Sequence, residues 1–89
     1  MPIYIKDPDA FLDYGFDWSE WLESGEIIAT STWIAPDGIT KGADTYSDDA
    51  TSVWMSGGAV GCDYVVVNRV TTNQSRQDDR SITIKVRNR

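Results

Sequence analysis

Gly61-Cys62-Asp63-Tyr64-Val65-Val66-Val67-Asn68-Arg69-Val70-Thr71-Thr72, the polar run Asn73–Asp79, and then Arg80-Ser81-Ile82-Thr83-Ile84-Lys85-Val86 decide the fold of this chain. In Tyr64–Thr72 the β-branched residues dominate, and alternation puts Tyr64, Val66, Asn68 and Val70 on one face of a strand. Ser81–Val86 alternates again, turning Ile82, Ile84 and Val86 the same way. The polar residues between them read as a hairpin loop, with Asp78-Asp79 as turn residues. Tyr64 stands two residues past a Gly-Cys step, at the entrance to the strand. It is either an ordinary core tyrosine or a tyrosine corner, in which the ring packs inside while the hydroxyl reaches a backbone group at the rim.

Working back towards the N-terminus, the segment from Glu26 is rich in β-branched residues and ends at the turn triplet Pro36-Asp37-Gly38. Its alternation predicts Ile27, Ala29, Ser31, Trp33 and Ala35 on one face, with Ile28, Thr30, Thr32 and Ile34 on the other. Ile39–Tyr46 is a weaker strand, followed by a Ser47-Asp48-Asp49 turn, and Thr51–Ser56 leads into the loop Gly57–Gly61. Phe16 and Trp18 alternate as in a strand, whereas Trp18, Trp21 and Leu22 fit a helical stripe; a short strand ending in a helical turn at Trp18–Leu22 satisfies both. Residues 1–13 hold Pro2 and Pro8 and are expected as an extended arm, with 14–89 as the body of one domain. Six to seven short strands at spacings of about 8–12 residues indicate a β-sandwich or small barrel. The expected fold class is all-β, an immunoglobulin-like antiparallel β-sandwich with an extended N-terminal arm.

Composition excludes more function than it suggests. The 89 residues include no His and one Cys, so Ser-His-Asp and Cys-His machinery, His-containing zinc sites and internal disulfides are all absent. Apolar runs reach only three or four residues, too short to span a membrane, and no secretory signal is expected. The net charge of −6 is unevenly spread. Residues 1–68 carry 12 acidic side chains against Lys6 and Lys41, a net of −10, whereas residues 69–89 have a net of +4. The basic end reads either as a solvated strand edge or as one pole of a chain that docks head-to-tail. Nucleic acid is not an expected partner, because the overall negative charge opposes counterion release.

No catalytic, cofactor or metal site is expected. Asp17 and Glu20 have no nucleophile or orienting base beside them. Asp7, Asp9, Asp13 and Asp17 lack the Gly and Glu spacing of a calcium loop, and Cys62 has no partner motif. Three residues are expected to define the fold: Trp33 as the central core aromatic, Tyr64 and Asn68. Asn68 falls on the inward face, where an unpaired amide is costly, so it either bonds to core backbone, the favoured reading, or is turned out by a bulge. The interface candidates are Trp18, Trp21, Trp54, Arg69, Arg76 and Arg80. Trp18 and Trp21 either cap one end of the core or anchor a neighbour, since Trp is enriched in interface hot spots. Trp54 belongs to the core or to an exposed face, and Arg69 points outward towards a carboxylate on a neighbour.

Several stretches in order carry a wider likeness: Lys6-Asp7-Pro8-Asp9-Ala10, Leu12-Asp13-Tyr14, Phe16-Asp17-Trp18-Ser19-Glu20-Trp21-Leu22, Gly38-Ile39-Thr40, Asp63-Tyr64, Asn68-Arg69-Val70-Thr71-Thr72 and Asp78-Asp79-Arg80-Ser81-Ile82. The set resembles small immunoglobulin-like virion proteins of tailed bacteriophages and prophages, a fibre–tail adaptor family. The resemblance implies a non-enzymatic structural subunit, made in the host bacterial cytoplasm and built in many copies into the tail or neck beside other virion proteins. It brings no catalytic residues. Trp18-Ser19-Glu20-Trp21 and Asn68-Arg69 are then either docking or folding motifs. The alternatives are a capsid decoration protein and a carbohydrate- or cell-surface-binding module that stacks sugars on Trp54 or Trp21.

Overall fold

A computed structural model describes residues 3–88, seven strands and no helix; Met1, Pro2 and Arg89, which enter the expected arm and the charge count, lie outside these residues. The strands are β1 (Ile3–Lys6), β2 (Leu12–Asp17), β3 (Ile28–Ile34), β4 (Ile39–Tyr46), β5 (Ala50–Gly57), β6 (Asp63–Thr72) and β7 (Gln77–Val86). They form a four-stranded sheet in the order β1-β7-β6-β3 and a three-stranded sheet in the order β2-β5-β4. All pairs are antiparallel except β1 with β7. This is an immunoglobulin-like sandwich in which the first strand joins the sheet of the closing hairpin. The extended N-terminal segment is therefore part of the sheet, because Ile3–Lys6 runs parallel along Thr83–Val86 as a short edge strand.

Side chains from both sheets meet in a core of Tyr14, Trp33, Ile39, Val53, Met55, Tyr64, Val66, Ile82, Ile84 and Val86. A second cluster of Trp18, Ile28 and Val70 closes one end, and Phe16 packs against both. The rings run on from one cluster to the other. Phe16 stacks on Trp33 at 5.8 Å and meets Trp18 edge-on at 6.1 Å, and Trp18 meets Trp21 at 5.3 Å. Tyr64 sits at the opposite end, where its hydroxyl accepts the Ala59 N–H at 2.9 Å, five residues upstream. Glycine makes room for that corner. A Cβ on Gly58 (φ 95°) would stand 2.6 Å from a Val86 methyl, and one on Gly38 (φ 100°) 3.1 Å from the Tyr64 ring.

Two details differ from the alternation read along the chain. In β3 the register shifts between Ile28, opposite Thr72, and Thr30, opposite Thr71. Ala29 is the extra residue, a β-bulge that inverts the sides after it. Ile28 and Trp33 thus both turn inward, and Ile27 and Ala29 do not share the face of Trp33. The hairpin loop is also shorter than expected. β7 begins at Gln77, and Asp78 and Asp79 lie in the strand opposite Val70 and Arg69 instead of forming the turn. Both are exposed: Asp79 lies on the outward face, where Arg69 bonds it across the strands at 2.9 and 3.0 Å, and Asp78 lies on the side of Val70 near the start of the strand.

Asn68 is completely buried, and both ends of its amide are satisfied. Its Oδ1 accepts the Trp18 indole N–H at 3.1 Å and the Thr51 hydroxyl at 2.7 Å, both from the opposite layer. Its Nδ2 donates to Ser31 Oγ at 3.0 Å and to the Thr32 carbonyl at 3.2 Å. Asn68→Leu strands these groups in the core and is expected to cost about 2–4 kcal/mol. Tyr64→Phe removes one hydrogen bond and is expected to cost about 1 kcal/mol. Urea unfolding should show the larger midpoint drop for Asn68→Leu with unchanged m-values; equal drops would refute the central place given to this amide.

Candidate functional site

The six interface candidates separate once their surroundings are known. Trp18 is fully buried and so caps the core instead of anchoring a neighbour. It enters the sandwich because β2 ends at Asp17 in a helical turn, with Trp21 and Leu22 N–H groups both bonded to the Trp18 carbonyl at 3.0 and 3.2 Å. Arg80 lies 4.1 Å above the Trp18 ring and donates to the Asp17 carbonyl at 2.9 Å. Trp21 is half-buried, with the Arg76 guanidinium 4.3 Å from its ring centre. Trp18, Trp21, Arg76 and Arg80 are therefore engaged within the fold.

Arg76 holds this end of the sandwich by a charge pair that the sequence pattern did not reveal. Glu26, buried beside it, accepts Arg76 Nε at 2.9 Å, Arg76 Nη2, the Thr72 hydroxyl at 2.6 Å and the Glu23 N–H at 2.9 Å. Arg76 also donates to the Trp21 carbonyl at 3.0 Å. The guanidinium above all, helped by the other donors and opposed by burial, holds the Glu26 carboxyl at about 2 against an ordinary 4.5. Arg69 likewise spends its charge within the chain, on Asp79. Lys85 and Arg87 face Asp63, at 3.8 and 3.0 Å. The basic end of the chain is thus tied to the acidic part at Glu26 and Asp63, while Arg69 pairs with Asp79 of its own segment.

Trp54 is the aromatic candidate that remains on the surface. It projects from the middle strand of the three-stranded sheet, away from the core, between the inward-facing Val53 and Met55. Phe11, 58% exposed, stacks on it at 4.8 Å with ring planes 19° apart. Gly42 provides the space, since a Cβ there would lie 3.4 Å from Trp54 Cβ and 3.5 Å from the Phe11 ring. Asp13 lies opposite Trp54 on β2. Phe11 was missed in the sequence because it precedes β2 and belongs to no periodic pattern. Its one signal is that it is an apolar ring between two polar turns and a strand.

Sequence reasoning also missed Lys6. It is buried, and its ammonium donates to the Asp7 carbonyl at 2.9 Å and the Gly57 carbonyl at 2.8 Å, tying the end of β1 to the end of β5. Burial pushes its pKa down, and the Asp7 and Asp9 carboxylates partly offset this. A depression of about 360 Å³ is lined by Arg69, Gln77, Asp78 and Asp79, residues that offer charge and hydrogen bonds but no nucleophile. Among the described residues, no group of three or more Cys, Asp or Glu side chains is placed to hold a metal ion.

The Glu26 pair makes a pH prediction. A carboxyl whose pKa falls on folding stabilises the fold above its unfolded value, and that contribution disappears as pH drops through the folded value. Thermal melts of the natural chain should lose midpoint between pH 4.5 and about 2. Glu26→Gln should start lower at neutral pH and lack this component of the fall. Identical pH profiles for the two proteins would contradict the assignment.

Comparison with known proteins follows this geometry. The sandwich is similar to the solution structure of the PKD domain from the KIAA 1837 protein, with a TM-score of 0.61 and 19% identity, over 99% of this chain and 82% of that one. At that identity the likeness shows the fold alone. No curated protein matches the chain. The model of the family described as podophage GP4 fiber-tail adaptor protein gp77 matches residues 6–85, from the buried Lys6 to Lys85 at the end of the closing hairpin. The chain belongs to this family of phage fibre–tail adaptors.

Proposed function

We propose that this chain is a non-enzymatic subunit of the virion that joins tail fibres to the tail, made in the host cytoplasm and incorporated during assembly. The observation that carries the reading is the family match, which extends over both sheets of the sandwich. The surface chemistry is consistent with it. The buried polar and charged groups of the chain serve the fold, and the outward-facing groups are suited to protein contact.

The stacked Phe11–Trp54 pair is the contact we assign to the fibre or tail subunit. Two exposed rings held parallel present a rigid apolar surface that loses little side-chain entropy on binding. A sugar platform is less well supported, because Phe11 covers one face of Trp54 and Arg76 one face of Trp21.

Phage lacking the gene should yield particles with heads and tails but without attached fibres. The purified chain should be retained on fibreless tails and not on empty heads. Trp54→Ala should keep the far-ultraviolet dichroism of the natural chain and lose that retention by roughly tenfold or more. Retention on heads would support a capsid decoration role instead, and absence of the chain from purified virions would refute both structural readings.

A further inference from the structure

The outward face of the four-stranded sheet has a symmetry that the fold does not require. Registered pairs across β6 and β7 place side chains in rows on this face: Asp63 beside Lys85, Val65 beside Thr83, Val67 beside Ser81, and Arg69 beside Asp79. β1 extends the second row with Ile3, and β3 extends the third with Ile34. The middle of the face is therefore apolar or small, with Ile3 60%, Val65 47% and Ile34 44% exposed. An ion-pair row closes it at either end. The four row charges sum to zero on a chain of net −6, and Arg87, which also pairs with Asp63, adds a positive charge at one end, so these rows carry none of the chain's net negative charge.

The arrangement of the charges goes further. Val66 and Ile82 are register partners at the centre. Asp63 and Arg69 lie three residues to either side of Val66 on β6, and Lys85 and Asp79 three residues to either side of Ile82 on β7. Turning a second copy about an axis along the Val66–Ile82 row reverses its strands and lays β6 over β6 and β7 over β7. Each Asp63 then faces Arg69 of the second copy, each Lys85 faces Asp79, and Val65 faces Val67. Every opposed charge is of opposite sign. Packed sheets cross within roughly 30° of alignment, a rotation that long charged side chains span at this distance from the axis.

We propose that this face binds a second copy of the chain, antiparallel and face to face, about a two-fold axis through the Val66–Ile82 pair. Such an interface is isologous: one patch meets itself, and each contact occurs twice. The apolar rows are the buried centre and the charged rows fix the register. An axis along the strands would instead set Asp63 against Lys85 and Arg69 against Asp79, also opposite in sign, and exchanging charges within a row separates the two arrangements because it disrupts only the first. The proposal is independent of the adaptor role, since the face is complementary to itself wherever the chain acts.

Exchanging the charges within a row tests it and keeps one charge of each sign in that row. One protein carries Asp63→Lys with Lys85→Asp, and another carries Arg69→Asp with Asp79→Arg. Each exchange sets like charges against like in the self-pair, but the two proteins are complementary to each other. Sedimentation of the full natural chain up to roughly millimolar concentration, the order reached between linked sites, should reveal a dimer. Each exchanged protein alone should dissociate with a constant about tenfold higher or more. An equimolar mixture should recover the dimer, with near-ultraviolet dichroism reporting an intact aromatic core throughout. Val65→Asp, at an exposed position, is the second variant and should also be monomeric. A natural chain that stays monomeric, exchanged proteins that dimerise as the natural chain does, or a mixture that fails to recover would each overturn the proposal.

Discussion

The buried amide of Asn68 is the constraint on which the sandwich depends. Its two acceptor bonds come from Trp18 and Thr51 in one layer, and its two donor bonds go to Ser31 and Thr32 on the neighbouring strand of its own layer. An apolar core alone would tolerate small slides of one sheet over the other. Here a one-residue slip of β6 would carry Asn68 to the solvent face and orphan each of its partners in a low-dielectric interior. The network thus specifies register, and Trp18 belongs to it as a hydrogen-bond donor as much as an apolar ring.

The same end of the molecule explains where the basic residues go. With Trp18 committed to Asn68, its exposed flank is covered by Arg80, and Trp21 beside it is covered by Arg76. Arg76 in turn needs a counter-charge, and Glu26 supplies it from before β3. A planar guanidinium suits both tasks, stacking on a ring while donating in its plane to a carboxylate. Arg76 of the cationic closing hairpin is thereby neutralised in place, by a carboxylate fifty residues earlier in the chain.

That distance marks the boundary of what the sequence could tell. The closing hairpin, Trp33 at the centre, Tyr64 at the corner and an inward Asn68 were all legible, because period-two alternation and turn residues are local signals. The bulge at Ala29 was not, since one inserted residue leaves the composition of a strand unchanged while reversing its faces. Nor was the start of β7: Asp78 and Asp79 favour turns by propensity, and only their pairing with Val70 and Arg69 makes them strand. At the surface, Trp54 was legible as an aromatic without a fixed side, whereas Phe11 became its partner only when the sheet brought them together.

A chain of this size buries one core, and here that core engages three of four tryptophans together with Arg76 and Arg80 in holding its own register. What remains for assembly is the outer face of each sheet, and the two differ in kind. One bears an aromatic pair beside Asp13, with no symmetry of its own, which suits a foreign partner. The other bears balanced charges symmetric about Val66–Ile82, which suits a copy of itself. Because the faces lie on opposite sides of the sandwich, engaging one leaves the other free. In the proposed assembly the subunit pairs through one sheet and presents two aromatic contacts outward, so that each proposed linkage to fibre or tail would be made twice, and occupancy of either face would stabilise the small domain by mass action.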